Sequence, residues 1–155
     1  MRTLLIALIL CTPTAALAGP MEKAALKAVN AHRAQAGCPA LRLNPALQAA
    51  ALGHANAMAT QDFFAHKGRN GSTMQSRVEA EGYRWSAIAE NIAAGQKTAA
   101  DVVASWMASE GHRANILNCA LRETGLAVVY QADDRAVKGK KYPMYYYWVQ
   151  TFGSP

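Results

Sequence analysis

The sequence predicts an α+β fold in which helices pack against a small antiparallel sheet. Apolar residues recur at helical spacing from residue 21 onward, whereas the C-terminal part changes to runs rich in β-branched and aromatic residues. Helices first and strands last are typical of α+β proteins. The 155 residues are 52% hydrophobic and 17% charged, which excludes intrinsic disorder and suffices for one domain with a sizeable core.

The first 18 residues are typical of a secretory signal peptide. A positive start at Arg2 precedes an apolar run over residues 4–10 and the small-residue motif Ala16-Leu17-Ala18. That run is far shorter than the roughly 20 residues of a membrane-spanning helix, and no later stretch approaches that length. Lipid attachment at Cys11 is disfavoured because a bulky leucine precedes the cysteine. We predict cleavage near Ala18, a secreted or periplasmic location, and a single mature domain over residues 19–155.

Removal of residues 1–18 leaves two cysteines, Cys38 and Cys119, and lowers the formal charge from +6 to +5, because Arg2 is the one charged residue lost. An even pair in an oxidising compartment predicts a disulfide. The alternative is two buried thiols. The bridge is favoured because Cys38 follows a helix-ending Gly37 and Cys119 lies among turn residues. Closing a loop of about 80 residues would stabilise the fold by roughly 4 kcal/mol.

Two long amphipathic helices are predicted first. One runs from Met21 to Ala36, with Arg33 assigned to its polar face and a glycine after its end. The second begins at Asn44-Pro45, a cap followed by a first-turn proline, and continues to about Thr60. His54 lies within the apolar stripe of this helix, which favours a hydrogen-bonded core histidine over a ligand.

Two further helices are predicted in the middle of the chain. A short one extends from about Thr73 to Glu81 and is followed by a glycine. Thr98 caps the other, with Asp101 three residues later as in a capping box. We expect Gly111 to end this helix.

The strands follow at the end of the chain. Residues 125–130 and 142–152 are rich in β-branched and aromatic residues, which predicts a hairpin whose strands are joined by a polar, basic loop over residues 131–141. A further strand is indicated near residues 88–93. These segments complete the small antiparallel sheet.

Three polar segments lie where helices and turns meet, which is where sites are commonly built. They are residues 64–66, 89–93 and 109–117, and they contain the titratable candidates His66, Glu90 and His112 respectively. These candidates are 24 and 22 residues apart. A site shared by them is therefore assembled by the fold.

Several short motifs together resemble the CAP superfamily, also called the SCP/PR-1 domain, and in particular its compact bacterial branch. The motifs, in order, are VNAHRAQAG, HANAMA, FFAH, AENIAAG, SWMASEGHRANIL and YYYWVQTFG. The match covers about Lys23 to Gly153. This resemblance implies an α-β-α sandwich with helices on both faces of the sheet.

The resemblance also implies a central cleft that holds two histidines and two acidic residues. Carried over by motif, the matching positions are His66, Glu90 and His112. The second acid generally falls three residues after the helix tryptophan, and here that position is Ser109. Glu110 lies one residue further, about 100° around a helix. The expected cluster is therefore a triad with a hydroxyl, with Asn91 beside it.

Three interpretations of this cluster stay open. Two imidazoles and a carboxylate form a ligand set for zinc or another divalent metal, with His66, Glu90 and His112 as the ligands. Alternatively, Ser109 is a nucleophile with His112 as its base and Glu90 as the orienting acid, although no G-x-S-x-G motif surrounds Ser109.

The third interpretation is a structural network. Glu90 would accept backbone hydrogen bonds, and His112-Arg113 would cap the preceding helix. Asn91 and Asn115 would hold loops through side-chain to backbone bonds. No cofactor follows with certainty from these residues.

The leading functional prediction is a secreted, non-enzymatic binding module for a lipid, a glycan or an extracellular protein. The alternative is a metal-dependent hydrolase or peptidase that uses His66, Glu90 and His112. A structural extracytoplasmic domain without a small ligand is a third interpretation. Nucleic acid is not expected as a partner, because basic residues are dispersed apart from one run at 138–141. We expect a monomer that is not an integral membrane protein.

Overall fold

The computed structural model describes residues 18–155, so the predicted signal peptide, apart from Ala18, lies outside the described residues. Five helices and four strands follow one another along this part of the chain. In order they are α1 (Pro20–Gln35), β1 (Arg42–Leu43), α2 (Pro45–Thr60), α3 (Met74–Ala80), β2 (Ala87–Ala94), α4 (Ala99–Ala108), α5 (Glu110–Ile116), β3 (Glu123–Tyr130) and β4 (Tyr146–Ser154).

The four strands form one sheet in the order β1-β3-β4-β2. The pairs β3/β4 and β2/β4 are antiparallel, as predicted, whereas the two-residue β1 pairs in parallel with β3 and makes the sheet mixed. β4 begins four residues later than predicted. The reason is that the Asp134 carboxylate accepts hydrogen bonds from the backbone N–H groups of Met144 and Tyr145, which ties these residues to the loop.

Helices cover both faces of the sheet, and the side chains of β4 alternate between them. Tyr147 and Val149 are buried in a cluster with α2. Trp148 is buried on the opposite side in a cluster with α1, α4 and α5. The structure therefore confirms the predicted α+β sandwich. No helix within residues 18–155 is long and apolar enough to cross a membrane.

The predicted end of the fourth helix is wrong. α4 ends at Ala108, and Ser109 adopts an extended conformation (φ −96°, ψ 126°) before α5 begins at Glu110. Gly111 lies inside α5. The Ser109 carbonyl accepts the Arg113 N–H at 2.8 Å, which starts the new helix. The Arg113 guanidinium donates to the Met107 carbonyl at 2.9 Å and so caps α4.

The assignment of Arg33 to a polar surface is also wrong, because the side chain is fully buried. Its guanidinium donates to four backbone carbonyls within 2.7–2.9 Å. The acceptors are Pro39, Ile116, Asn118 and Leu121. Nearby, Cys38 and Cys119 form the predicted disulfide, with their Cα atoms 4.9 Å apart. Together these links fasten the end of α1 to the segment that follows α5.

Candidate functional site

The candidate site centres on a buried carboxylate in the middle of β2. Glu90 lies opposite Thr151 of β4, and its side chain is 3% exposed. One carboxylate oxygen accepts a hydrogen bond from Nδ1 of His66 at 2.9 Å, and the other accepts one from Nη2 of Arg77 at 2.7 Å. Both oxygens are therefore engaged by side chains from the segment between residues 66 and 77.

Opposing effects set the pKa of Glu90. Burial by itself raises it. The hydrogen bond from His66 and the positive charge of Arg77 outweigh burial, so that the pKa lies below its ordinary value. Glu90 is consequently ionised at neutral pH, and an ionised carboxylate only accepts hydrogen bonds. His66 must then carry its proton on Nδ1.

His66 is the exposed member of this cluster. It lies in the connection between α2 and α3, and its side chain is 56% exposed. Since Nδ1 donates to Glu90, Nε2 is the ring nitrogen that remains for a ligand: an acceptor in the neutral ring and a donor in the protonated one. The backbone of this connection is fixed nearby, where the buried His54 ring of α2 bonds through Nε2 to the Ala65 carbonyl at 2.9 Å.

His54 therefore has the core position that its helical stripe predicts. Burial lowers its pKa and outweighs the opposing effect of the Glu90 charge. A neutral His54 can donate from Nε2 to the Ala65 carbonyl. Its role is to hold the chain beside His66.

Arg77 is the functional residue that the sequence interpretation missed. Its largely buried guanidinium bonds Glu90 and also donates through Nη1 to the carbonyls of His66 and Ser72, at 3.1 and 3.4 Å. One side chain thus joins the carboxylate, the His66 loop and α3. The available signal was indirect: a buried carboxylate needs a cationic partner, but no spacing in the sequence selects Arg77 among the arginines.

The third predicted member, His112, lies in α5 and is held through its backbone. The fully buried Asn91 donates to the His112 carbonyl at 3.1 Å, and Asn115 donates to Asn91 at 2.9 Å. Burial, followed by the positive charge of His66, lowers the pKa of His112. The asparagines have the loop-holding contacts that the structural interpretation predicted.

The remaining candidates lie beside the cluster without joining it. Ser109 is half-buried at the start of α5, and its hydroxyl makes no capping hydrogen bond. Glu110 is exposed in the first turn of the same helix. Within residues 18–155, neither side chain hydrogen-bonds to Glu90 or His112. Their roles in a site stay predictions.

The arrangement does not fit a three-ligand metal site. Among the described residues, no group of three or more His, Cys, Asp or Glu side chains has the geometry to hold a metal ion. The chemistry agrees, since both oxygens of Glu90 already accept hydrogen bonds and the guanidinium of Arg77 is 2.7 Å from one of them. A divalent cation on this carboxylate would have a positive charge as its neighbour.

A cleft of about 300 Å³ opens next to the cluster, between α2, the turn at residues 68–72 and α3. Its volume lies at the lower end of the range for small-molecule sites. The lining also carries polar and cationic side chains: His54, Gln61, Arg69, Asn70, Ser72, Ser76 and Arg77. Arg77 therefore contributes both to the buried ion pair and to the wall of an open cleft.

Comparison with known proteins identifies relatives over most of the chain. The model of the cysteine-rich secretory protein family, CAP, matches residues 26–152. The uncharacterised protein YkwD of Bacillus subtilis is 33% identical over 108 residues, which are 70% of this chain and 42% of that protein. This chain thus spans less than half the length of that relative.

Two solved structures are similar in fold. An extracellular protein with an SCP domain from Bacillus anthracis superposes with a TM-score of 0.72 at 23% identity, covering 86% of this chain and 40% of that one. An outer surface protein from Borrelia burgdorferi gives a TM-score of 0.74 at 18% identity, over 85% of this chain and 90% of that one. At 23% and 18% sequence identity, these two comparisons show that the fold is shared.

Proposed function

Because the chain belongs to the cysteine-rich secretory protein (CAP) family, we propose that it is a non-enzymatic binding module that acts outside the cytoplasm. Its ligand is a lipid, a glycan or a protein, and the binding surface is the cleft beside His66 and Arg77. The observation that carries this proposal is the full engagement of Glu90, whose two oxygens are bonded by these two side chains at 2.9 and 2.7 Å.

A carboxylate held in this way is suited to organising a surface. A general acid or base works best when its pKa lies near the working pH, whereas the pairing lowers the pKa of Glu90 further from neutrality. The ion pair instead fixes the His66 loop against the sheet before a ligand arrives. Preorganisation of this kind reduces the entropy lost on binding.

The hydrogen bonds around Ser109 also do not support its role as a nucleophile. In the serine hydrolase interpretation, Ser109 would hydrogen-bond to His112, and a carboxylate would orient that imidazole. In the described part of the chain, Glu90 bonds to His66, and the contact recorded at His112 is its carbonyl with Asn91. Binding therefore accounts for more of the geometry than hydrolysis does.

Three features support an extracytoplasmic location. The predicted signal peptide directs export, and the disulfide between Cys38 and Cys119 is typical of oxidising compartments. Two structurally similar proteins are described as an extracellular protein and an outer surface protein. The sequence predicts processing near Ala18, which N-terminal sequencing of the exported protein would test.

The binding role is tested with purified protein freed of metal by EDTA. We expect saturable binding to at least one member of a panel of neutral and acidic glycans and lipid vesicles, and at least tenfold weaker binding for His66→Ala. His32→Ala is the matched control, because it removes an imidazole from α1 on the other side of the sheet.

Two results would overturn the proposed role, and a third would overturn the proposed binding surface. The first is a complete lack of binding across the panel. The second is hydrolysis of peptide or glycan substrates that requires added Zn²⁺ and disappears in His66→Ala but not in His32→Ala, which would establish the metal-dependent alternative. Binding that both variants retain equally would place the ligand elsewhere on the surface.

A further inference from the structure

A second cleft lies beyond the His66 cluster, between residues 62–69 and the long loop that joins β3 to β4. Its volume is about 230 Å³. We name it the basic cleft and define it by the residues that line it: Asp62, Phe63, Phe64, Ala65, Arg69, Val137, Lys138 and Lys140. Three cations and one carboxylate thus face the same small volume.

Neighbouring contacts position Arg69 in this cleft. Arg69 donates to the Asp62 carbonyl at 3.0 Å, and its guanidinium carbon lies 5.7 Å from the centre of the Phe63 ring. A backbone carbonyl and an aromatic face hold the side chain but do not neutralise its charge. Among the described residues, no salt bridge involves Arg69, Lys138 or Lys140.

The two lysines are carried by a structured turn. Lys140 N–H donates to the Val137 carbonyl at 2.9 Å, and Gly139 between them has φ +85°, a conformation that favours glycine. The buried Val137 side chain anchors the turn. The buried Asp134 carboxylate closes the base of the loop through the Met144 N–H at 2.7 Å. The backbone that carries the two exposed lysines is therefore fixed beside the cleft.

An apolar surface accompanies these charges. Phe64 is 36% exposed and lines the cleft next to the buried Phe63. An exposed aromatic ring beside cations suits a ligand with both an apolar face and a negative group. The volume is below the range of drug-sized sites, about 300–1,000 Å³. The cleft therefore admits a single ring-sized unit.

We propose that the basic cleft binds one unit of an anionic glycan, a sugar ring that carries a carboxylate or phosphate group. The ring would pack on Phe64, and its negative group would contact Lys138, Lys140 and Arg69. A flat lipid surface cannot follow a concave floor, whereas a glycan chain can place one ring inside it. Arg69 also lines the cleft beside His54, so the two clefts share one cationic side chain.

This inference goes beyond the proposed function, because Arg69 is the one lining residue that the basic cleft shares with the cleft of the proposed binding surface. The probe is an oligogalacturonate of about eight units, compared by calorimetry with a neutral maltooligosaccharide of equal length and with phosphatidylglycerol vesicles. We expect the acidic oligosaccharide to bind and the other two probes to bind at least tenfold more weakly. Binding should weaken as salt increases, since exposed charges are screened.

The decisive variant is the double substitution Lys138→Gln and Lys140→Gln, for which we expect at least tenfold weaker binding of the oligogalacturonate. The matched control is Lys23→Gln with Lys27→Gln, two exposed lysines of α1. It changes the net charge equally and should preserve the affinity. Phe64→Ser should weaken binding about fivefold or more while retaining the cations.

Three outcomes would overturn the inference. Equal losses in the two double variants would indicate attraction to net charge alone. Preferential binding to the phosphatidylglycerol vesicles would assign the lysines to a membrane surface. A loss in His66→Ala, with full binding in the Lys138 and Lys140 double variant, would place the glycan in the neighbouring cleft.

Discussion

Replacement of Arg33 by methionine should be among the most destabilising single changes in this domain. Methionine keeps an unbranched apolar stem but removes the donors that contact four carbonyls in the folded protein. Each buried acceptor left without a partner costs about 1–3 kcal/mol. Some relaxation of the loop is expected, so we predict a total loss of about 3–5 kcal/mol in the free energy of unfolding.

The measurement is urea unfolding at pH 7, followed by the fluorescence of the three tryptophans. With a slope of about 1–3 kcal/mol per molar urea, the midpoint should fall by at least about 1 M. Arg42→Met is the control: this exposed arginine makes a 3.7 Å contact with Glu123, and its loss should cost less than about 1 kcal/mol. If Arg33→Met and Arg42→Met unfold at the same urea concentration, the carbonyls do not depend on Arg33.

Three other predictions concern stability. Glu90→Gln should cost about 3 kcal/mol at pH 7, because it leaves Arg77 buried without its charge partner. Since the folded pKa of Glu90 is below its ordinary 4.5, this difference should shrink as the pH falls through the folded value, measured by urea unfolding at each pH. The double change of Cys38 and Cys119 to serine should cost roughly 4 kcal/mol by the same assay. Gly125→Ala should cost about 3 kcal/mol in thermal unfolding, because its methyl group would meet the backbone of Leu47.

A specific result would contradict each of these three stability predictions. A gap between wild type and Glu90→Gln that stays constant from pH 7 to pH 3 would show that ionisation of Glu90 contributes nothing. Unchanged stability of the serine variant would mean that the disulfide does not restrict the unfolded chain. For Gly125, the control is Gly53→Ala in α2, where nothing lies within 4 Å of the added carbon. It should gain about 0.5–1 kcal/mol, and equal effects at both glycines would contradict the close packing.

Local signals in the sequence were sufficient for most helices and strands. Asn44-Pro45 marks the start of α2, and in the structure the Asn44 side chain accepts hydrogen bonds from the N–H groups of Ala46 and Leu47. Thr98 likewise accepts from the Asp101 N–H at the start of α4. These contacts join residues that are two or three positions apart, so the local sequence is enough to predict them.

Contacts between distant segments were not available from the sequence. Arg33 has the spacing of a polar-face residue, but its partners Ile116 and Leu121 are more than 80 positions away. β1 contains two residues and exists because it pairs with β3. Gly111 was predicted to end the fourth helix because glycine commonly follows a helix. The break instead lies at Ser109, whose extended conformation separates α4 from α5.

The candidate site shows the same division. Motif resemblance indicated His66, Glu90 and His112, and the structure places the first two in direct contact. Arg77 could not be predicted from a motif, because its contact with Glu90 depends on how α3 packs against the sheet. The ion pair between Arg77 and Glu90 also argues against the metal-ligand interpretation, because a guanidinium already lies 2.7 Å from the carboxylate.

The double attachment at the end of α1 has a consequence for the order of events during maturation. Arg33 brings the residues after α5 against the end of α1 through hydrogen bonds that need no oxidant. In the reduced, folded chain, the thiols of Cys38 and Cys119 are therefore already neighbours, at a high effective concentration for each other. Oxidation would then link two cysteines that folding has already brought together, so the correct bridge can form after the chain has folded.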